Sequence, residues 1–172
     1  MGTIEDCNVV IFGASVVGES AAQLAKMMDF PVTVLDDEPE KFDVPGFAGC
    51  DCRVVDFLNM PTYEELGITA DSMLVVVTRG HKYDRQCFVY GMRSEAFYCG
   101  MIGKPKKIEV CCNYARENGC TEEQINHCTF PIGVNIGAID AKEIGLAIAA
   151  QLVEQRNIRF PREKDHESLH AR

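Results

Sequence analysis

The 172 residues carry a formal net charge of −9, with 47% hydrophobic and 25% charged residues, the composition of one globular domain with a real core. The acidic balance argues against general nucleic-acid binding, which needs a basic field to displace counterions, and against an anionic membrane surface. No apolar run approaches the roughly 20 residues that span a bilayer, and the N-terminus has neither a basic stretch nor a cleavage signal, so a cytoplasmic protein is expected.

The run NVVIF (8–12) is short and continuously apolar, as expected of a strand covered on both faces. A glycine turn follows. From residue 16 to 28 apolar side chains recur at helical spacing, at Val17, Ala21, Leu24, Ala25 and Met28. PVTVLDD (31–37) reads as a second strand, followed by a loop rich in Pro, Gly and Asp. CRVVDF (52–57) is a weaker third strand and PTYEELG a helical turn. DSMLVVVT (71–78) is the strongest strand of the chain, and KYDRQCFVYGMRS (82–94) follows as a helix.

AFYCGMIG (96–103) reads as strand five and a turn. The segment 104–119 has Pro105 near its start and Gly119 just past its end, the asymmetry of a helix. INHCTFPIG holds a sixth short strand or an extended segment. Residues 140–155 form an apolar-faced helix with Asp140 as N-cap and Glu143 three residues on. That last helix reads as core or as a dimer surface. PREKDHESLHAR (161–172) is charged, lacks a core face, and is expected to be frayed or disordered.

Nine cysteines are many for such a chain. Without a secretory signal they read as reduced thiols, and neither Cys50-x-Cys52 nor Cys111-Cys112 has the spacing of a zinc site. Buried thiols that pack like small hydrophobes are expected, and no metal site.

Strands alternating with helices predict an α/β fold, a Rossmann-like three-layer domain with a mostly parallel sheet of about six strands over residues 1–160. In such sheets a ligand sits beyond the carboxyl ends of the strands, where the strand order reverses. The loops after strands one, two, four and five are therefore the candidate site. The first loop comprises Gly13, Ala14, Ser15, Val16, Val17 and Gly18. Gly13 supplies the tight turn, and Gly18 permits close packing of helix on strand. Ser15 stands where a dinucleotide loop has its middle glycine. Its hydroxyl can bond a phosphate oxygen or occupy the phosphate's space, while the helix end behind it still offers N–H groups and a favourable dipole.

Asp36 ends the second strand 23 residues after Gly13, where an acidic residue takes ribose hydroxyls, and Asp37 adds a second carboxylate. A 2′-phosphate would be repelled, so the nicotinamide dinucleotide to expect is NAD(H). Thr78, Arg79, Gly80 and His81 follow the strongest strand. Arg79 offers a planar fork for phosphate or carboxylate, and His81 titrates near neutrality. Asp84 either serves that site or charges the start of the next helix. Gly103 and Lys104 follow strand five. Lys104, Lys106 and Lys107 oppose a helix dipole, which calls for a ligand anion or an acidic neighbour, and a cofactor phosphate is the preferred account. Gly133 and Gly137 in PIGVNIGA allow tight backbone geometry, either for structure alone or to line the crevice.

Three further segments, VVVTRGHKYD (75–84), FYCGMIGKPKK (97–107) and PIGVNIGAIDAKEIGLAIAAQLV (131–153), follow the first in a familiar order and spacing. Together they resemble the C-terminal Rossmann domain of the xanthine dehydrogenase accessory (XdhC/CoxI) family over roughly residues 8–155. The resemblance implies an accessory, non-catalytic role in maturing a molybdenum hydroxylase: binding the molybdenum cofactor (molybdopterin), seeing it sulfurated and delivering it. It implies the apoenzyme and a cysteine desulfurase as partners, and a homodimer. Family members commonly carry a separate N-terminal domain, whereas here about seven residues precede the first strand, so a cofactor contact that depends on that domain is not expected from this chain alone. The family's loop reads G-A-G-H-V-G, and Ser15 and Val16 replace its second glycine and its histidine. Two other readings stay open: an NAD(H)-binding oxidoreductase or redox sensor, and a ligand-free scaffold that docks partners. No serine–histidine–acid set, H-E-x-x-H or Walker loop is present, so no catalytic residue is assigned.

Overall fold

The structure is a computed structural model, and it describes residues 2–162. Of the tail expected at 161–172, all but Pro161 and Arg162 lie outside the described residues. The strands are β1 (Asn8–Phe12), β2 (Val32–Asp36), β3 (Asp51–Val54), β4 (Ser72–Val76), β5 (Tyr98–Met101) and β6 (Cys128–Thr129). The helices are α1 (Val16–Met27), α2 (Asp84–Met92), α3 (Pro105–Glu117), α4 (Glu122–Asn126) and α5 (Ala141–Arg159). The strand order is β3-β2-β1-β4-β5-β6, and every pair is parallel. The order reverses between β1 and β4, which opens a crevice beyond their carboxyl ends.

Why the central strands are apolar throughout follows from the pleat, which sends successive side chains to opposite faces. On β1, Val10 and Phe12 join Leu74, Val76 and Met101 under α2 and α3, against Phe88, Met92 and Ile108. Val9 and Ile11 point the other way, joining Val34, Met73 and Val75 under α1 and α5, against Ala21, Ala25, Ile148 and Leu152. Each face is a closed core.

The pairing of α1 with α5 depends on small residues. A β-carbon on Gly145 would run into the side chain of Ser20 and stand 3.0 Å from the Ala21 nitrogen. Arg156, buried near the far end of α5, donates to the Met28 carbonyl at 2.8 Å and lies 4.2 Å over the Phe30 ring. Burial holds its pKa below the ordinary arginine value.

Several elements differ in detail from the sequence pattern. Met28 is not on the core face of α1, where Ala22 is buried instead, because the helix has already ended at Met27. The last helix runs to Arg159, four residues past its expected end, and Asp140 caps it by accepting from the N–H groups of Lys142 and Glu143, each at 2.9 Å. The short α4 was not anticipated; Thr121 and Gln124 form its capping box. All nine cysteines are free, seven of them buried. Among the described residues no helix is long and apolar enough to cross a membrane.

Candidate functional site

The loop after β1 is built around a backbone contact. Gly13 has φ +115°, and a β-carbon there would stand 2.5 Å from the Thr78 Cα and 2.7 Å from the Val77 carbonyl oxygen. Only glycine lets the end of β1 lie this close to the end of β4. Ser15 then caps α1: its Oγ accepts from the Gly18 N–H at 3.0 Å. That bond uses the hydroxyl to cap the helix, a role its sequence position had not suggested. The N–H groups of Val16 and Val17, in the first turn, have no carbonyl one turn back to bond. They give the helix end its residual positive field.

Asp36, the residue placed by sequence where ribose hydroxyls bind, has its carboxylate turned onto the protein. Oδ2 accepts from the Ala14 N–H at 2.6 Å, and Oδ1 accepts from the Glu38 N–H at 3.1 Å and from Arg79 Nη2 at 2.8 Å. Arg79 Nε adds a longer contact to Oδ2 at 3.4 Å. Asp36 is 1% exposed. Burial pushes its pKa up, but the Arg79 guanidinium and the two backbone N–H groups outweigh it and hold the carboxyl below the ordinary value. Arg79 also pairs with Glu38 at 2.8 Å and lies 3.6 Å from Asp37, which in turn is 3.8 Å from Lys82. Its hydrogen bonds to Asp36 and Glu38 raise the guanidinium's already high pKa, so it is a permanent cation.

Thr78 faces a second buried acid. Its N–H donates to Asp84 Oδ1 at 3.2 Å, its hydroxyl donates to the same oxygen, and Asp84 Oδ2 pairs with Lys107. Lys107 Nζ also donates to the Ile102 carbonyl at 2.7 Å. Lys107, expected first to face a cofactor phosphate, instead meets the other alternative, an acidic neighbour, in Asp84. Gly80 adopts a left-handed conformation, φ +58°, with open space where a β-carbon would stand, and His81 ends the same single turn.

These loops enclose a cleft of about 650 Å³ at the carboxyl edge of the sheet. Ala14, Ser15, Val16 and Val17 form one wall and Thr78, Arg79 and Gly80 another. Gly13 and Gly18 are buried beneath it, and Asp36 and Asp37 stand to one side, tied to Arg79. Gly103 and Lys104 line a neighbouring cleft of about 800 Å³, walled by Gly133 and the start of α5, and Ile102 borders both. Sequence reasoning missed the segment after β2. Glu40 and Lys41 of a single-turn helix at Pro39–Phe42, Phe47 of another at Pro45–Phe47, and Val44 between the two close the outer side of the first cleft. Glu19 pins that segment by accepting from the Gly46 N–H at 3.1 Å. The prolines opening both turns were the available signal. Among the described residues no group of three or more His, Cys, Asp or Glu side chains is placed to hold a metal ion.

A six-stranded parallel sheet in this order, with a glycine turn and a cleft at its switch point, defines a Rossmann-like α/β domain. More particularly, the chain belongs to the XdhC family: the description of the XdhC Rossmann domain matches residues 9–152. It is 25% identical over 149 residues to the uncharacterized protein YqeB of Escherichia coli K12, covering 87% of this chain and 27% of that protein. It also shares its fold with a Bacillus halodurans protein whose crystal structure is described as that of a xanthine dehydrogenase. The TM-score is 0.71 and the identity 22%, over 94% of this chain and 46% of that one. The chain thus spans less than half the length of either relative.

Proposed function

We propose that this domain is an accessory protein in the maturation of a molybdenum hydroxylase of the xanthine dehydrogenase type, and that it holds the molybdenum cofactor by its phosphate. The family supports the first half of this reading. The second half rests on one observation, the open cleft lined by Ser15, Val16 and Val17 at the start of α1, where helix N–H groups lack intrahelical partners. A phosphate there gains the field of a helix N-terminus. The pterin would extend past Ile102 toward the second cleft. The fit is through the phosphate; the metal's ligands would belong to the cofactor or to a partner. The apoenzyme and a cysteine desulfurase are the partners this role requires, and the domain carries no chemistry of its own in it.

The reading is tested by thermal stabilisation. A ligand that binds only the folded state contributes about 2.7 kcal/mol at 100 times its dissociation constant. Molybdopterin is expected to raise the melting temperature, and the protein recovered from its native cell to carry pterin. Stabilisation by NADH with molybdopterin inert would replace this reading with a nicotinamide-binding redox protein. Inertness of both would leave a scaffold that docks partners.

A further inference from the structure

The strand order places β1 between β2 and β4. Neighbouring strands lie about 4.8 Å apart, so the ends of β2 and β4 are separated by about 10 Å with the Gly13–Ala14 turn between them. Arg79, from the β4 side, crosses that gap to reach Asp36, Asp37 and Glu38 on the β2 side. The ion bridge thus lies over the end of β1, along the path that the adenosine half of a dinucleotide takes from a helix-end phosphate to the acid at the end of β2.

The acid itself has no room for a ribose. A carboxylate offers about four acceptor positions. On Asp36, donors from Ala14, Glu38 and two nitrogens of Arg79 address them. A vicinal diol would have to displace Arg79, and the guanidinium would then lose Glu38 as well as Asp36. The phosphate end of the cleft, at Val16 and Val17, is untouched by this bridge.

We propose that Arg79 is a specificity-determining residue: by occupying Asp36 it closes the β2 side of the cleft to nucleotide ribose and restricts the site to phosphomonoesters. The proposal rests on the cleft being the phosphate site argued above, and it deepens that reading by naming the class of ligand refused. It makes Arg79 a gate against dinucleotides, a different role from the phosphate grip that its guanidinium first suggests.

The test titrates ADP-ribose into the wild-type protein and Arg79→Ala by calorimetry, with circular dichroism to show that both are folded. Wild type is expected to bind with a dissociation constant above about 1 mM, and Arg79→Ala at least about tenfold more tightly. Adding Asp36→Asn to Arg79→Ala should abolish the gain, because the diol needs the freed carboxylate. If Arg79→Ala fails to fold, Arg79→Gln is judged by the same thresholds. Tight binding by wild type, no gain in the variant, or a gain that survives Asp36→Asn each overturns the proposal. Molybdopterin enters no step of this experiment. Failure of the cofactor reading therefore shows up separately, as an inert pterin beside an intact ADP-ribose response.

Discussion

Thr78 donates both its backbone N–H, at 3.2 Å, and its hydroxyl to Asp84, six residues further on and 1% exposed. With Lys107 on its other oxygen, Asp84 ties together the end of β4, the start of α2 and the start of α3. Breaking one side of a buried ion pair costs about 3–5 kcal/mol, since the remaining charge stays desolvated. Asp84→Asn is therefore expected to lower stability by about 3 kcal/mol and the melting temperature by about 6–12 °C. In a double-mutant cycle, Asp84→Asn with Lys107→Met should cost clearly less than the two single changes summed. Additive costs would mean that Asp84 and Lys107 do not couple.

Gly13 and Gly80 both have positive φ, yet they predict different outcomes. An alanine at Gly80 meets only the left-handed backbone cost of about 1–2 kcal/mol, because nothing lies within 4 Å of the added carbon. An alanine at Gly13 adds collisions with the backbone of Val77 and Thr78, which no side-chain rotation relieves. Urea unfolding should show Gly13→Ala losing at least about 3 kcal/mol, in the range of severe core changes. Equal costs at the two positions would contradict the backbone contact between β1 and β4.

This contrast also marks where sequence stops. The strands, the glycine turn and the switch-point cleft follow from apolar runs and a 3.6-residue period, signals that each segment carries locally. Asp36 and Arg79 were each legible as charged residues at the ligand edge. That they bind one another was not, because 43 positions separate them and only the strand order brings them together. The segment after β2 reads as a loop for the same reason: its role in walling the cleft depends on Glu19 of α1 holding Gly46. By contrast, α4 carries a local signal of its own, the capping pair Thr121 and Gln124.

The lowered pKa of Asp36 gives a pH dependence with a definite sign. Between the folded and unfolded pKa values the unfolded chain binds more protons, so stability there rises with pH. The contribution is fully present above the unfolded value of about 3.9 and is lost as pH falls through the folded one. Arg79→Gln removes the charged partner. The stability gap between wild type and this variant should be constant from pH 7 to 5 and shrink below about pH 4. Urea titrations at four pH values measure it, and a gap that widens in acid would reverse the assignment.

Ser15 offers a cleaner local measurement. Its Oγ accepts from Gly18, so Ser15→Ala removes an N-cap and should cost about 1 kcal/mol, whereas Ser15→Gly should cost only a few tenths. Chemical denaturation of the two variants side by side would show it. If the order is reversed, the hydroxyl is not capping α1.

The thiols supply the last prediction. Burial pushes Cys7 and Cys111 up to about 11 and raises Cys87 as well, while a hydrogen bond with Cys99, and then burial, raises Cys128. At neutral pH these groups are protonated, shielded and poor nucleophiles, since the thiolate is the reactive form. Cys50 and Cys52, at the edge of the sheet, are only half-buried, though burial raises them too. A thiol reagent at pH 8 should therefore modify no more than these two quickly in the native protein, more slowly than a free thiol. All nine should react once guanidinium unfolds the chain. Fast native labelling of Cys99 or Cys128 would mean that β5 and β6, which pair through these residues, separate on the timescale of the reagent.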